Sequence, residues 1–133
     1  MKILRFISYV WALPNTLLGL VLFFFIYGPK SLKWKNGVLE GTCKRMIPWW
    51  TRVVGQTWGW LVVYRSTPYL GLENHERQHV VQGMILGPLF LVIYPIASLI
   101  ALIQGKNGYR DNWFEKNADE HRKSGPTFKY LTP

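Results

Sequence analysis

HERQHVVQGMILGPLFLVIYPIASLIALIQGKNGYRDNWFE, residues 75–115, poses the question on which the fold turns. Its first five residues are His75-Glu76-Arg77-Gln78-His79. On a helix, positions i and i+4 share a face, so His75 and His79 can bind one metal ion together. Glu76, beside the first imidazole, reaches a metal-held water as general base. Zinc suits such a pair because it takes neutral imidazole nitrogen and lowers the pKa of bound water to about 7. The plainer readings are a helix with two solvated histidines, or a metal that is only structural.

A two-histidine site needs a third protein ligand. His121 is the only other histidine, and the downstream acids are Asp111, Glu115, Asp119 and Glu120. Glu115 and Asp119 are four apart and share a helical face. In one arrangement Glu115 binds metal and Asp119 orients a ligand imidazole. His121 as third ligand is the other, and an ordinary amphipathic tail helix with Lys116, Arg122 and Lys123 is the third. A single bilayer crossing by residues 84–103 would put His79 and Glu115 about 30 Å apart. Gly87-Pro88 removes that obstacle, since helices usually end just before proline. The expected course is a helix over 72–86 and a second over 88–103 running back about 24 Å. A Gly-rich loop at 104–109 follows, then a helix over 111–123 carrying Glu115. The competing arrangement, favoured by length alone, has residues 84–103 as a second span.

Outward from this stretch, the composition is membrane-like. Of 133 residues, 49% are hydrophobic and 16% aromatic, while 17% are charged, against a usual 25% or so. That excludes a disordered chain. The single cysteine, Cys43, excludes an internal disulfide framework and reads as a small buried hydrophobe. Residues 6–29 carry no charge and are long enough to span a bilayer. Trp11 and Tyr27 stand as interfacial anchors, and Pro14-Asn15 predicts a kink. Lys2 and Arg5 also fit the start of a signal peptide, but no small-x-small cleavage site follows. The stretch is therefore read as a retained anchor, residues 1–29, ahead of a compact domain, residues 30–133.

The next segment gathers Lys30, Lys33, Lys35, Lys44, Arg45 and Arg52 among Trp34, Trp49 and Trp50. With the net charge of +9, this fits a nucleic-acid platform or an interfacial belt on anionic lipid. Beside an anchor the belt is preferred, and no nucleic acid is expected. Residues 53–65 (VVGQTWGWLVVYR) have the β-branched and aromatic content of one strand. Gly55 and Gly59 mark bulges or close backbone approach, and residues 38–45 are the expected hairpin partner.

HERQHVVQ, an apolar segment and then YRDNWFEKNADE (109–120) together resemble the gluzincin pattern, H-E-x-x-H with a downstream Glu-x-x-x-Asp helix. A closer resemblance is to a group of small bacterial membrane-associated proteins. These share an aromatic-aliphatic strand, a H-E-R-x-H-x-x-Q helix, a Gly-Pro-Leu-Phe segment and a Tyr-Arg-Asp-Asn-x-Phe-Glu motif. The resemblance covers residues 55–120, with Trp113 where many related sequences have Pro. It implies His75, His79 and Glu115 as zinc ligands, Glu76 as general base and Asp119 as the residue behind a ligand. It also implies that the strand through 53–65 aligns an extended peptide, and it carries no substrate with it.

Gln82, on the metal face, either holds substrate, buttresses a ligand or is a buried amide satisfied by backbone. Tyr109, Arg110 and His121 are the candidates for stabilising an oxyanion. Lys30, Lys33 and Lys35 after the anchor favour a cytoplasmic face of the bacterial inner membrane for the domain. The expectation is an α+β membrane protein with this element order: transmembrane helix, β-hairpin with an edge strand, H-E-x-x-H helix, apolar helix and Glu-bearing helix. Its expected activity is zinc-dependent hydrolysis of a peptide or protein. The alternative is a non-catalytic membrane protein whose metal holds helices together. A cationic membrane-perturbing or nucleic-acid-binding protein is a third.

Overall fold

Past the first apolar stretch, polar Ser31, Lys33 and Lys35 alternate with apolar Leu32 and Trp34, the period of a strand. In the structure, a computed structural model that describes residues 2–46 and 53–127, this segment is strand β1, Pro29–Lys35. Trp49, Trp50 and Arg52 of the expected belt lie outside the described residues, as does the end of residues 30–133 beyond 127. Asn36 and Gly37, both at positive φ (50° and 84°), turn the chain into β2, Val38–Cys43, as two-residue hairpins require. Residues 53–65 are not one strand. Gly59, at φ 61°, and Trp60 form a tight turn between β3, Gly55–Trp58, and β4, Leu61–Tyr64. The sheet order is β1-β2-β4-β3, with β2 and β4 parallel and the other pairs antiparallel. The hairpin partner of β2 is therefore β1, and β2 meets β4 only as a parallel neighbour. β3 is an edge strand.

Two helical layers enclose this sheet. The first apolar stretch forms α1, Lys2–Trp11, and α2, Leu13–Leu22, which runs into a π turn, Phe23–Tyr27. The two are bent by 49° where Pro14, at the start of α2, lacks the N–H to continue the ladder. Residues 2–27 are not a separate packing unit. Phe23 and Tyr27 share a core with Cys43, Leu61 and Val63 on one face of the sheet, and Tyr9 donates a hydrogen bond to Gly37 O.

The opposite face carries α3, Leu70–Leu86. Eight of its seventeen residues are polar or charged, yet every side chain from Asn74 to His79 is buried. Arg77 is satisfied there by Glu40 Oε1 (3.0 Å) and by the Lys35 and Asn36 carbonyls, both at 3.1 Å. A buried charge is tolerable only when paired and hydrogen-bonded in this way.

A 3-10 turn, Gly87–Leu89, joins α3 to α4, Phe90–Ile103. By length and composition the helical backbone of Leu70–Ile103 is apolar enough to cross a membrane, as is the bent pair α1–α2. Leu70–Ile103 is nevertheless not one rod. The His79 and Tyr94 rings lie 6.3 Å apart, whereas fifteen residues of straight helix would separate them by about 22 Å. The reversal falls at Gly87, whose φ of 58° favours glycine and whose missing Cβ leaves room for the Trp11 indole.

The last element among the described residues, α5, Trp113–Glu120, is capped by Asn112, whose Oδ1 accepts from Phe114 N at 2.8 Å. Asn112 Nδ2 donates to Tyr94 O (3.0 Å) and Ser98 Oγ (2.8 Å) on α4. From there α5 runs back along α3, ending where Asn74 Nδ2 donates to Arg122 O at 2.8 Å. The protein is thus a mixed α+β fold.

Candidate metal centre

Helical spacing places the His75 and His79 rings 4.8 Å apart on one side of α3. The Asn112 cap and the buried Phe114 and Ala118 seat α5 so that Glu115 faces them. Glu115 Oε2 lies 3.1 Å from His75 Nε2 and 3.2 Å from His79 Nε2. Ligands about 2.0–2.1 Å from a tetrahedral zinc stand about 3.3 Å from one another, so these spacings fit such an ion. The three are 3%, 5% and 5% exposed.

The surrounding contacts decide which ring nitrogens are free. Gln82 Nε2 donates to Phe114 O and to Asn117 Oδ1, each at 3.0 Å. Its Oε1 therefore faces His79 Nδ1, 2.8 Å away, and that nitrogen carries the proton. The Nε2 of neutral His79 is left with its lone pair toward Glu115. On the other ring, Asp119 Oδ1 stands 2.9 Å from His75 Nδ1, close but out of line for a hydrogen bond. Tyr94 donates to the second Glu115 oxygen at 2.5 Å. Glu115 Oε2, by contrast, makes no aligned hydrogen bond although buried. Acceptor atoms converging at this distance out of water repel unless a cation or a proton lies among them.

Charge follows the same logic. Burial by itself would lift Glu115, but the His75 and His79 imidazoles outweigh it and hold the carboxyl well below the usual range. Burial would depress His79, but the Glu115 carboxylate beside it prevails and pushes it up to about 9.

Glu76 lies on the sheet side of α3, 3% exposed. Thr57 on β3 donates to its Oε2 at 2.7 Å. A Cβ on Gly55 would stand 2.9 Å from Glu76 Oε1, so a glycine at that point of the edge strand makes room for the carboxylate. Tyr109 comes near the centre. Its phenol is raised first by burial and then by the charges of Glu115, Glu76 and Asp119.

Other expected residues stay outside. The Arg110 side chain is exposed, and its backbone N–H serves the loop by donating to Asn107 Oδ1 at 2.8 Å. His121 turns its Nδ1 to Asn117 O at 2.7 Å and is not in the metal-ligating group, which among the described residues is His75, His79 and Glu115. Sequence reasoning missed Tyr94 and Asn117, which support Glu115 and Gln82. A tyrosine within an apolar run gave no signal, and Asn117 in NWFEKNADEH stood out only as a polar helix residue.

No family model, curated protein or solved structure matches the chain.

Proposed function

We propose that the chain is a membrane-associated zinc hydrolase, a peptidase of gluzincin type, with His75, His79 and Glu115 as ligands and Glu76 as general base. The observation that carries this reading is the convergence of Glu115 Oε2 on the two Nε2 atoms, at 3.1 and 3.2 Å. Its donor set, two imidazoles and one carboxylate, is that of catalytic rather than closed zinc sites. Zinc in that position supplies Lewis acidity toward a carbonyl oxygen and acidifies a water.

The chain's own residues do the rest. Glu76 takes a proton from the water that adds to the amide carbon, and returns it to the leaving nitrogen as the C–N bond breaks. Thr57 aims that carboxylate. Gln82 holds His79 in the tautomer a metal needs, and Asp119 lies behind His75. Tyr109, whose phenol feels the charges of Glu115 and Glu76, is the proposed donor to a developing oxyanion. The edge strand β3, beside Glu76, is proposed to align an extended peptide by strand addition. A bilayer with anionic lipid is the proposed partner, on the cytoplasmic face of a bacterial inner membrane.

One observation favours a second reading. Near-complete burial of all three ligands suits a structural metal in a non-catalytic protein as well. Glu76→Gln separates the two. On the catalytic reading the variant keeps about one zinc per chain and cleaves a mixed quenched-fluorescent peptide pool about a hundredfold more slowly. Unchanged cleavage in Glu76→Gln would sink the proposed mechanism, and a zinc-loaded wild type that cleaves nothing would favour the structural metal.

A further inference from the structure

Away from the sheet core, the helices are turned inside out. Buried positions of α2 include Asn15 and Thr16, while Leu18 and Val21, and Phe25 of the π turn, lie on the outside. Asn15 donates inward, to Gly87 O at 2.8 Å. α3 is polar and buried, whereas the outer face of α4 exposes Val92, Leu99 and Ile103. Water penalises both halves of that arrangement, which a hydrocarbon surrounding would favour.

How the surrounding meets the protein follows from α1. Lys2, Arg5 and Tyr9 recur at the spacing of one helical face, and Ile3, Phe6, Ile7 and Val10 occupy the other. The Tyr9 side is fixed to the protein: its hydroxyl donates to Gly37 O, and Trp60 Nε1 donates to its carbonyl at 3.1 Å. A basic face with an apolar opposite is the pattern of a helix lying in the membrane plane.

Crossing the bilayer is hard to reconcile with the same contacts. Ten residues of α1, fifteen of α2 with its π turn and fourteen of α4 come to about 15, 22 and 21 Å, against a hydrocarbon core of about 30 Å. α1 and α2 end to end are long enough. In that case, however, Tyr9 would sit about 8 Å from the middle and draw the Asn36–Gly37 turn into hydrocarbon. The neighbouring strand β1, with Lys33, is exposed along nearly all its length and would follow. α4 does not cross either, because Asn112, beyond its far end, is bonded back to Tyr94 and Ser98.

We infer that the protein is held in one leaflet of an anionic bilayer without crossing it. The outer faces of α1, α2 and α4 embed, Lys2 and Arg5 meet the headgroups, and the sheet and metal centre stay on the side of entry. This rests on the membrane part of the proposed function and not on hydrolysis.

The test labels both ends of the α1–α2 pair from one side. Lys2→Cys and Lys30→Cys are placed separately in the full chain, the buried Cys43 of wild type setting the background. Sealed phosphatidylcholine–phosphatidylglycerol vesicles are then treated with a membrane-impermeant maleimide, before and after detergent. Both cysteines react before detergent, to the same extent, if one leaflet holds the chain. Reaction of one before and of the other only after would overturn the inference and restore a crossing anchor. Flotation checks the surface independently: Ile7→Asp lowers partition to the same vesicles about tenfold, as losing one buried aliphatic side chain requires. A wild type that stays in water as a detergent-free dimer and never floats would overturn both the inference and the membrane reading. Neither readout involves cleavage, so the fate of the peptidase proposal is decided separately.

Discussion

His79 is where protons and metal compete. Without metal its imidazole is raised from 6.5 to about 9, and Glu115 is depressed below 4.5. A raised imidazole stabilises the fold fully below its ordinary value and loses that contribution as pH rises through about 9. A depressed carboxyl stabilises above its ordinary value and loses that contribution as pH falls through its lowered one. The metal-free pair is therefore at full strength between about 4.5 and 6.5. Zinc requires neutral imidazole, so below about 9 its uptake must expel the His79 proton. Zinc affinity should then rise about tenfold per pH unit in that range, with one proton released per ion at pH about 7. Calorimetric titration in buffers of different ionisation enthalpy counts that proton. A count of zero would mean that His79 is already neutral or is no ligand.

Among the elements, α5 is the one most dependent on its neighbours. Eight residues are too few for a stable isolated helix, so its cap and its packing place Glu115. Asn112 is fully buried, and its side chain makes three hydrogen bonds, one to its own helix and two to α4. Asn112→Ala should cost about 1 kcal/mol for the cap and a further 1–3 kcal/mol or so for the α4 groups left unpaired. Zinc affinity should fall with it, although Asn112 touches no ligand. Chemical unfolding with and without zinc would read both losses, and a variant as stable and as metal-avid as wild type would contradict this placement. This element was legible in advance because Glu115 and Asp119 are four apart and Gly87-Pro88 marks a reversal. The β elements were read less well. In residues 53–65 the β-branched run was clear, but Gly59-Trp60 gave no conventional turn pair, and the hairpin passed for one strand. β1 looked like a lipid belt because its lysines alternate with Leu32 and Trp34, a pattern that serves a sheet and an interface alike.

For the molecule as a whole, hydropathy located the apolar helices but not which way they face. Asn15, Thr16 and Gly19 fall on the inward side of α2, yet in a run of leucines and phenylalanines they read as incidental to a spanning helix. Only their partners, Gly87 and Trp60, reveal the direction. That inversion leaves the interior short of apolar material where α3, α4 and α5 meet. His75, His79, Gln82 and Glu115 occupy the space that leucines would fill in a water-soluble core, with Phe90, Tyr94 and Phe114 at one side. A metal ion binding the native state but not the unfolded one should therefore stabilise the whole fold. The gain is about 2.7 kcal/mol when free zinc is a hundred times Kd, and about 4.1 kcal/mol at a thousand times. For a domain of this size such a change moves Tm by several degrees, at roughly 2–8 °C per kcal/mol. Chelation of detergent-solubilised protein should lower Tm by that amount, followed through the seven tryptophans. Zinc should restore it in wild type and in Glu76→Gln, which lacks only the proton acceptor, but not in Glu115→Ala. A wild-type Tm indifferent to chelator and to added zinc would show that α3 and α5 are held together by protein contacts alone.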